Sequence, residues 1–166
     1  MAHTNPLGHM LAYGALILTL FFMTINFVTN LNMTKEDYAI DEVTQFVDQC
    51  SVTGKIDPNN LDVLIADLGK AGFYIEMSHD SYVCYPDASG VIKDYITYND
   101  NYIYSKMYDA SSSEIKAYEM KTKDEFTVIV RRNSNQFVNM VNGVFHSDFK
   151  GSIVGGCTRE IGNSNN

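Results

Sequence analysis

The side chains that most often carry chemistry are few and scattered in this sequence. Cys50, Cys84 and Cys157 are widely spaced with no C-x-x-C pair, and His79 and His146 stand alone. A zinc site would need four such ligands brought together from separate elements, so no metal site is expected. A disulfide is the more natural use of the cysteines if the domain lies outside the cell. Cys50 falls on the apolar face of a helical pattern and reads as a buried free thiol. Cys84 and Cys157 both fall on expected strands and are the preferred pair, although sequence alone leaves the connectivity open.

The remaining ionisable and polar groups form no catalytic set. There is no nucleophile elbow, phosphate-binding glycine loop, His-Glu zinc helix or EF-hand loop. The carboxylates are many but ungrouped and read as solvated surface. Lys116, Lys121, Lys123, Arg131 and Arg132 make a loose basic run, interleaved with Glu114, Glu119, Asp124 and Glu125 as on a mixed-charge strand face. Tyr95, Tyr98, Tyr102, Tyr104 and Tyr108 suit either a contact surface or half-buried sheet positions. No catalytic residue, cofactor or small-molecule substrate is implied.

The elements that would position these residues start with Met10–Val28, a stretch of 19 residues without a formal charge. A bilayer core takes about 20 such residues, so the stretch reads as a transmembrane helix, with the anchor placed at 10–31 after a short segment 1–9. A cleaved signal would want a basic start and a small-residue cleavage site, and neither is present. The first charged side chain is Lys35, so the 12 basic and 20 acidic residues, and the net charge of −8, all belong to the chain beyond the anchor. So acidic a domain is a poor match for nucleic acid, whose affinity comes largely from phosphate neutralisation. It is also expected to stand off anionic headgroups. The expected topology is single-pass, N-terminus inside, with residues 32–161 forming an extracytoplasmic domain and 162–166 a flexible tail.

Helical spacing resumes with Ala39, Ile40, Val43, Phe46, Val47 and Cys50, and no Gly or Pro interrupts the chain between Gly14 and Gly54. One helix from about Met10 to Val52, about 60 Å long, is therefore expected. Thr34, followed by Glu36 and Asp37, offers an N-cap signal, so a break near Asn30–Asn32 is the alternative. Gly54 stops the helix, and Asp57-Pro58 starts another with Leu61, Leu64, Ile65 and Leu68 as its buried stripe, ending at Gly69 or Gly72. Phe73–Met77 and Tyr82–Tyr85 read as strands either side of a turn at His79–Ser81. Asp87–Ser113 reads as short strands and exposed loop, with a turn at Ala88-Ser89-Gly90. Phe126, Val128 and Val130 alternate on one face of a strand. Asn133 or Ser134 caps a crossover helix carrying Phe137, Val138, Val141, Val144 and Phe145, and Gly151–Ile161 is the last strand. The sum is an α+β fold: a long N-terminal helix, a second helix and a mostly antiparallel sheet with a late crossover helix.

This order of elements resembles the pilin-like and pseudopilin-like proteins of Gram-positive tight-adherence (Tad-type) pilus and secretion machinery. The carrying residues are Val43, Phe46 and Val47 after the apolar helix, then Thr53-Gly54-Lys55-Ile56 and the second helix closing at Gly69 and Gly72. Tyr118-Glu119-Met120-Lys121 then leads into Asp124–Val130. The resemblance implies a small structural subunit whose apolar helix waits in the membrane and then packs against other pilin-like subunits and assembly machinery. Gly14, Ala15, Thr19 and Asn26 would be its helix-packing residues. One position departs from the pattern: the fifth residue after Gly8 is Tyr13 rather than an acid, and no acid occurs before Glu36. That departure implies an unprocessed, membrane-resident accessory subunit.

Overall fold

A computed structural model describes residues 6–87, 90–108, 115–133 and 153–162. The fold is α+β: the described residues hold a long N-terminal helix, two further helices and antiparallel sheets. Two compact units divide the chain, Met1–Asp37 and Tyr38–Asn166.

The first unit holds the leading part of helix α1, Pro6–Thr53. It is long and apolar enough to cross a membrane. Every residue from Leu7 to Lys35 is exposed. The helix runs unbroken through Asn30–Lys35, and Thr34 Oγ1 donates to the Asn30 carbonyl at 3.0 Å instead of capping a new helix. Thr19, Thr24 and Thr29 likewise donate to the carbonyls of Ala15, Leu20 and Ile25, and Asn26 Nδ2 donates to that of Phe22. Each of these polar groups is thereby satisfied within its own helix, as hydrocarbon surroundings require.

The second unit begins where α1 turns amphipathic. Ala39, Val43, Phe46, Val47 and Cys50 are buried at helical spacing. Gly54, at φ +68°, ends the helix in the left-handed region, and its N–H bonds to the Cys50 carbonyl at 2.9 Å. Strand β1 (Lys55–Ile56) comes next, then α2 (Pro58–Ala71). Asp57 caps α2 by accepting from the Asn59 N–H at 2.8 Å, and Gly72 closes it at φ +91°. Leu61, Leu64 and Leu68 are buried as expected, whereas Ile65 faces out.

Among the described residues the unit has five further strands: β2 (Phe73–Asp87), β3 (Gly90–Asn99), β4 (Tyr118–Glu119), β5 (Glu125–Arg132) and β6 (Ile153–Glu160). The main sheet has the order β3-β2-β5-β6, all antiparallel, and a two-stranded sheet pairs β1 with β4. Phe126, Val128 and Val130 point into the core, where Phe126 meets Phe46 edge-on with centroids 6.4 Å apart. Gly155 of β6 makes room for α1: a Cβ there would lie 2.9 Å from the Ile40 side chain. Fully burying side chains such as Leu61, Leu68 and Phe126 contributes about 1.5–3 kcal/mol each.

Two expectations are corrected. There is no turn at His79–Ser81, because β2 runs through it. Phe73, Met77 and His79 are all buried at even spacing, so the polar triplet keeps the strand's phase. The stretch Asp87–Ser113 is more regular than expected, comprising all of β3 and helix α3 (Asp100–Met107). Asn99 caps α3 by accepting from the Tyr102 N–H, and Ile103 and Met107 bury its inner face. Residues 88 and 89 of the expected turn lie outside the described residues, although their neighbours Asp87 and Gly90 are paired. The expected helix over Phe137–Phe145, including Val138, Val141 and Val144, and His146 also lie outside them, as do residues 163–166 of the tail.

Candidate functional site

The polar centre of the second unit is His79, which the strand phase turns inward. Its ring is 4% exposed and lies between two acceptors or donors from distant segments. Nε2 sits 2.8 Å from Asp124 Oδ2, and Nδ1 sits 2.7 Å from the Tyr118 hydroxyl. Asp124, 1% exposed, is held by more than the histidine. Its Oδ2 also accepts from the Lys121 N–H at 2.8 Å, and its Oδ1 accepts from the Tyr82 N–H at 2.9 Å and the Ser81 hydroxyl at 3.3 Å. A carboxylate already fed by backbone donors leaves the imidazole to donate through Nε2–H. Nδ1 is then free to accept from Tyr118, whose phenol burial pushes well above its ordinary pKa.

This order, Tyr118 to His79 to Asp124, has the form of a hydroxyl–imidazole–carboxylate relay. Catalysis through such a relay needs a hydroxyl that is reachable and easily deprotonated. Tyr118 is 7% exposed and its pKa is raised by burial, and the relay joins β2, β4 and the 121–124 turn. That turn is tight: the Asp124 N–H returns to the Lys121 carbonyl at 3.0 Å, and Lys123 takes φ +76°.

Above the relay lies an open cleft of about 650 Å³. One wall is a stack of rings: His79 and Tyr98 have centroids 5.6 Å apart, and Tyr98 and Tyr102 are near-parallel at 4.4 Å. Lys106 ends the stack with its ammonium 5.4 Å from the Tyr102 centroid. Strands β2 and β3 supply His79 and Tyr98 to this wall, and helix α3 supplies Tyr102 and Lys106, one turn apart. Lys116, Lys121 and Glu119 also line the cleft. Neither Asp124 as a buried partner nor this cleft was expected from sequence. The available signal was the even spacing of His79 with Phe73 and Met77.

The expected disulfide is corrected by the sheet register. Cys157 pairs with Val128, and Val128 pairs with Met77, seven positions along β2 from Cys84. At about 3.3 Å per residue that is about 23 Å, against the roughly 7 Å limit between bridged Cα atoms. All three thiols are free, with Cys50 and Cys157 buried and Cys84 exposed. Burial pushes the Cys50 thiol up to about 12. Among the described residues no three His, Cys, Asp or Glu side chains converge on a metal position.

In the first unit, Gly14, Ala15, Thr19 and Asn26 are all exposed on α1. Ala15, Thr19 and Asn26 recur at spacings of four and seven and share one face, whereas Gly14 lies about 100° round the helix from Ala15. A Cβ at Gly14 would meet nothing within 4 Å. No protein-family model matches this chain, and neither the curated proteins nor the solved structures contain a match.

Proposed function

We propose that this protein is a non-enzymatic, membrane-anchored structural subunit of a surface pilus or secretion apparatus, of the pilin-like or pseudopilin-like kind. The observation that carries the reading is the run from Leu7 to Lys35, apolar over most of its length and exposed throughout. A contiguous apolar surface of that extent needs covering by lipid, by other helices, or by both in turn. The domain from Tyr38 onward would lie outside the cytoplasmic membrane, with the N-terminus inside. Ala15, Thr19 and Asn26 would face neighbouring helices, where small and polar groups matter more than hydrophobicity.

The test replaces Met10–Val28 with a leucine/alanine helix of equal length. The chimaera is expected to stay membrane-bound but to lose co-purification with its assembly partners. If it assembles like the parent, the helix is only a tether. A second reading, a single-pass tethered surface binding module with a passive anchor, then becomes the better one, and the tyrosine- and lysine-lined cleft is what favours it.

A further inference from the structure

We infer that His79 is a proton-operated switch that sets the direction of the Tyr118 hydroxyl: toward the imidazole while the ring is neutral, and out toward the cleft once it is charged. Three donors besides the imidazole already feed the Asp124 carboxylate: the Lys121 N–H at 2.8 Å, the Tyr82 N–H at 2.9 Å and the Ser81 hydroxyl at 3.3 Å. Nε2 of His79, 2.8 Å from Oδ2, therefore carries a hydrogen in either charge state. The charge is decided at Nδ1, which lies 2.7 Å from the Tyr118 hydroxyl. A bare Nδ1 accepts from that hydroxyl, and a protonated one donates to its oxygen. A phenol oxygen serves both roles, so one pair of heavy atoms at one distance satisfies both states. Only the phenol hydrogen has to swing, by rotation about the C–O bond.

No other group competes for these positions. Among the described residues, Asp124 and Tyr118 alone bond the ring nitrogens of His79, and the Tyr118 hydroxyl has no second partner. From β3 the Tyr98 ring lies against the imidazole, with Tyr102 and Lys106 of α3 stacked beyond it, and β5 places the apolar Phe126 opposite His79. Glu119, Lys116 and Lys121 also line the cleft and do not bond to His79, Lys116 being engaged elsewhere. Taking up the proton turns a buried pair with one negative charge into a pair with none. His79 and Tyr118 both line the open cleft, so the proton has a way in. Water or a bound group there supplies the acceptor for the hydrogen that turns outward. Tyr118 thus offers the cleft an acceptor in one state and a donor in the other. A bound group that accepts from Tyr118 favours the charged imidazole by the same factor by which the proton tightens its binding.

The switch lies wholly within the second unit and does not rest on the assembly reading, so either can fail alone. The test is nuclear magnetic resonance of the full, unmodified, isotope-labelled chain in micelles, titrated from about pH 8 to about pH 5, the interval in which a histidine changes charge. At the alkaline end Nε2 is expected to carry the ring hydrogen, and Nδ1 to couple to the Tyr118 hydroxyl proton across their hydrogen bond. At the acid end both ring nitrogens should carry hydrogens. The Tyr118 ring carbon that bears the hydroxyl should shift with the same midpoint, while the amide signals of β5 and β6 stay in place. Tyr118→Phe should abolish the coupling and move the Nδ1 signal toward that of an unbonded ring nitrogen. Tyr102→Phe, which removes no hydrogen bond of the set, should leave both as they are. A hydrogen on Nδ1 already at the alkaline end overturns the proposal. So does a His79 that takes up no proton while the fold persists, or a Tyr118 signal that does not follow it.

Discussion

The two units of this chain satisfy their polar groups in opposite ways. From Leu7 to Lys35, every side-chain hydrogen bond described reaches back a single turn, as from Thr19 to Ala15 or Asn26 to Phe22. From Tyr38 onward the decisive bonds join residues far apart: His79 reaches Tyr118 and Asp124, and Arg159 Nε donates to Asp48 at 2.7 Å. A segment whose polar groups close on themselves can move between lipid and protein surroundings without breaking any of them. One whose polar groups close across the fold is committed to a single arrangement.

The largest expected effect tests that commitment. Asp124→Ala would leave His79, two backbone N–H groups and the Ser81 hydroxyl without their acceptor in a buried place. A loss of about 3–5 kcal/mol is expected in denaturant unfolding of the full chain in micelles. A loss under about 1 kcal/mol would show that the relay fastens nothing, and the contrast between the units would fail.

The next effect comes from a group in the same unit that is buried without a charged partner. Burial pushes the Cys50 thiol up from an ordinary 9.0 to about 12 in the folded state. Its contribution is intact below pH 9 and is lost as pH rises through the interval, because only the unfolded thiol ionises there. About 2 kcal/mol should be gone by about pH 10.5. Tyr108 and Tyr118, both raised by burial first, act in the same direction. Cys50→Val isolates the thiol: the alkaline slope should become shallower by its share. An unchanged slope would mean that Cys50 is wet in the folded state.

The smallest effect is expected in the first unit. Thr19→Val, Thr24→Val and Asn26→Leu together remove three hydrogen bonds that only repeat what the helical backbone already does. Helicity by circular dichroism in micelles should stay the same, and stability should change by no more than about 0.5 kcal/mol. A clear loss of helicity would mean that these groups carry structural weight, and the comparison would need redrawing.

The same division decided how much could be read from the sequence. Features with local causes were legible: the unbroken apolar stretch, the stop at Gly54, the Asp57-Pro58 helix start, and the alternation of Phe126, Val128 and Val130. Features with distant causes were not. His79-Asp80-Ser81 has the composition of a turn, and it is held in a strand by partners 39 and 45 residues away from His79. Asp124 sits among lysines and a glutamate and reads as surface. It is buried because Tyr82, Ser81 and His79 converge on it. The expectation for Cys84 and Cys157 placed each on a strand correctly, but sheet register, which no local pattern carries, keeps them apart.

Two aspartates have a further consequence for the long strand β2. Pairing with β5 ends at Asp80–Glu125, and the Asp124 carboxylate, one residue before β5, accepts from the Tyr82 N–H. Pairing with β3 ends at Ser78–Asn99, and the Asp100 carboxylate, one residue after β3, accepts from the Met77 N–H. Each side chain continues the ladder by one rung where a neighbouring strand stops, as an N-cap does for a helix. Exposed rungs are where a foreign strand begins to add itself and where solvent protons enter first. The amides of Met77 and Tyr82 should therefore exchange with deuterium as slowly as those inside the sheet. A fibril trying to seed on β2 would meet a carboxylate at each of these two positions.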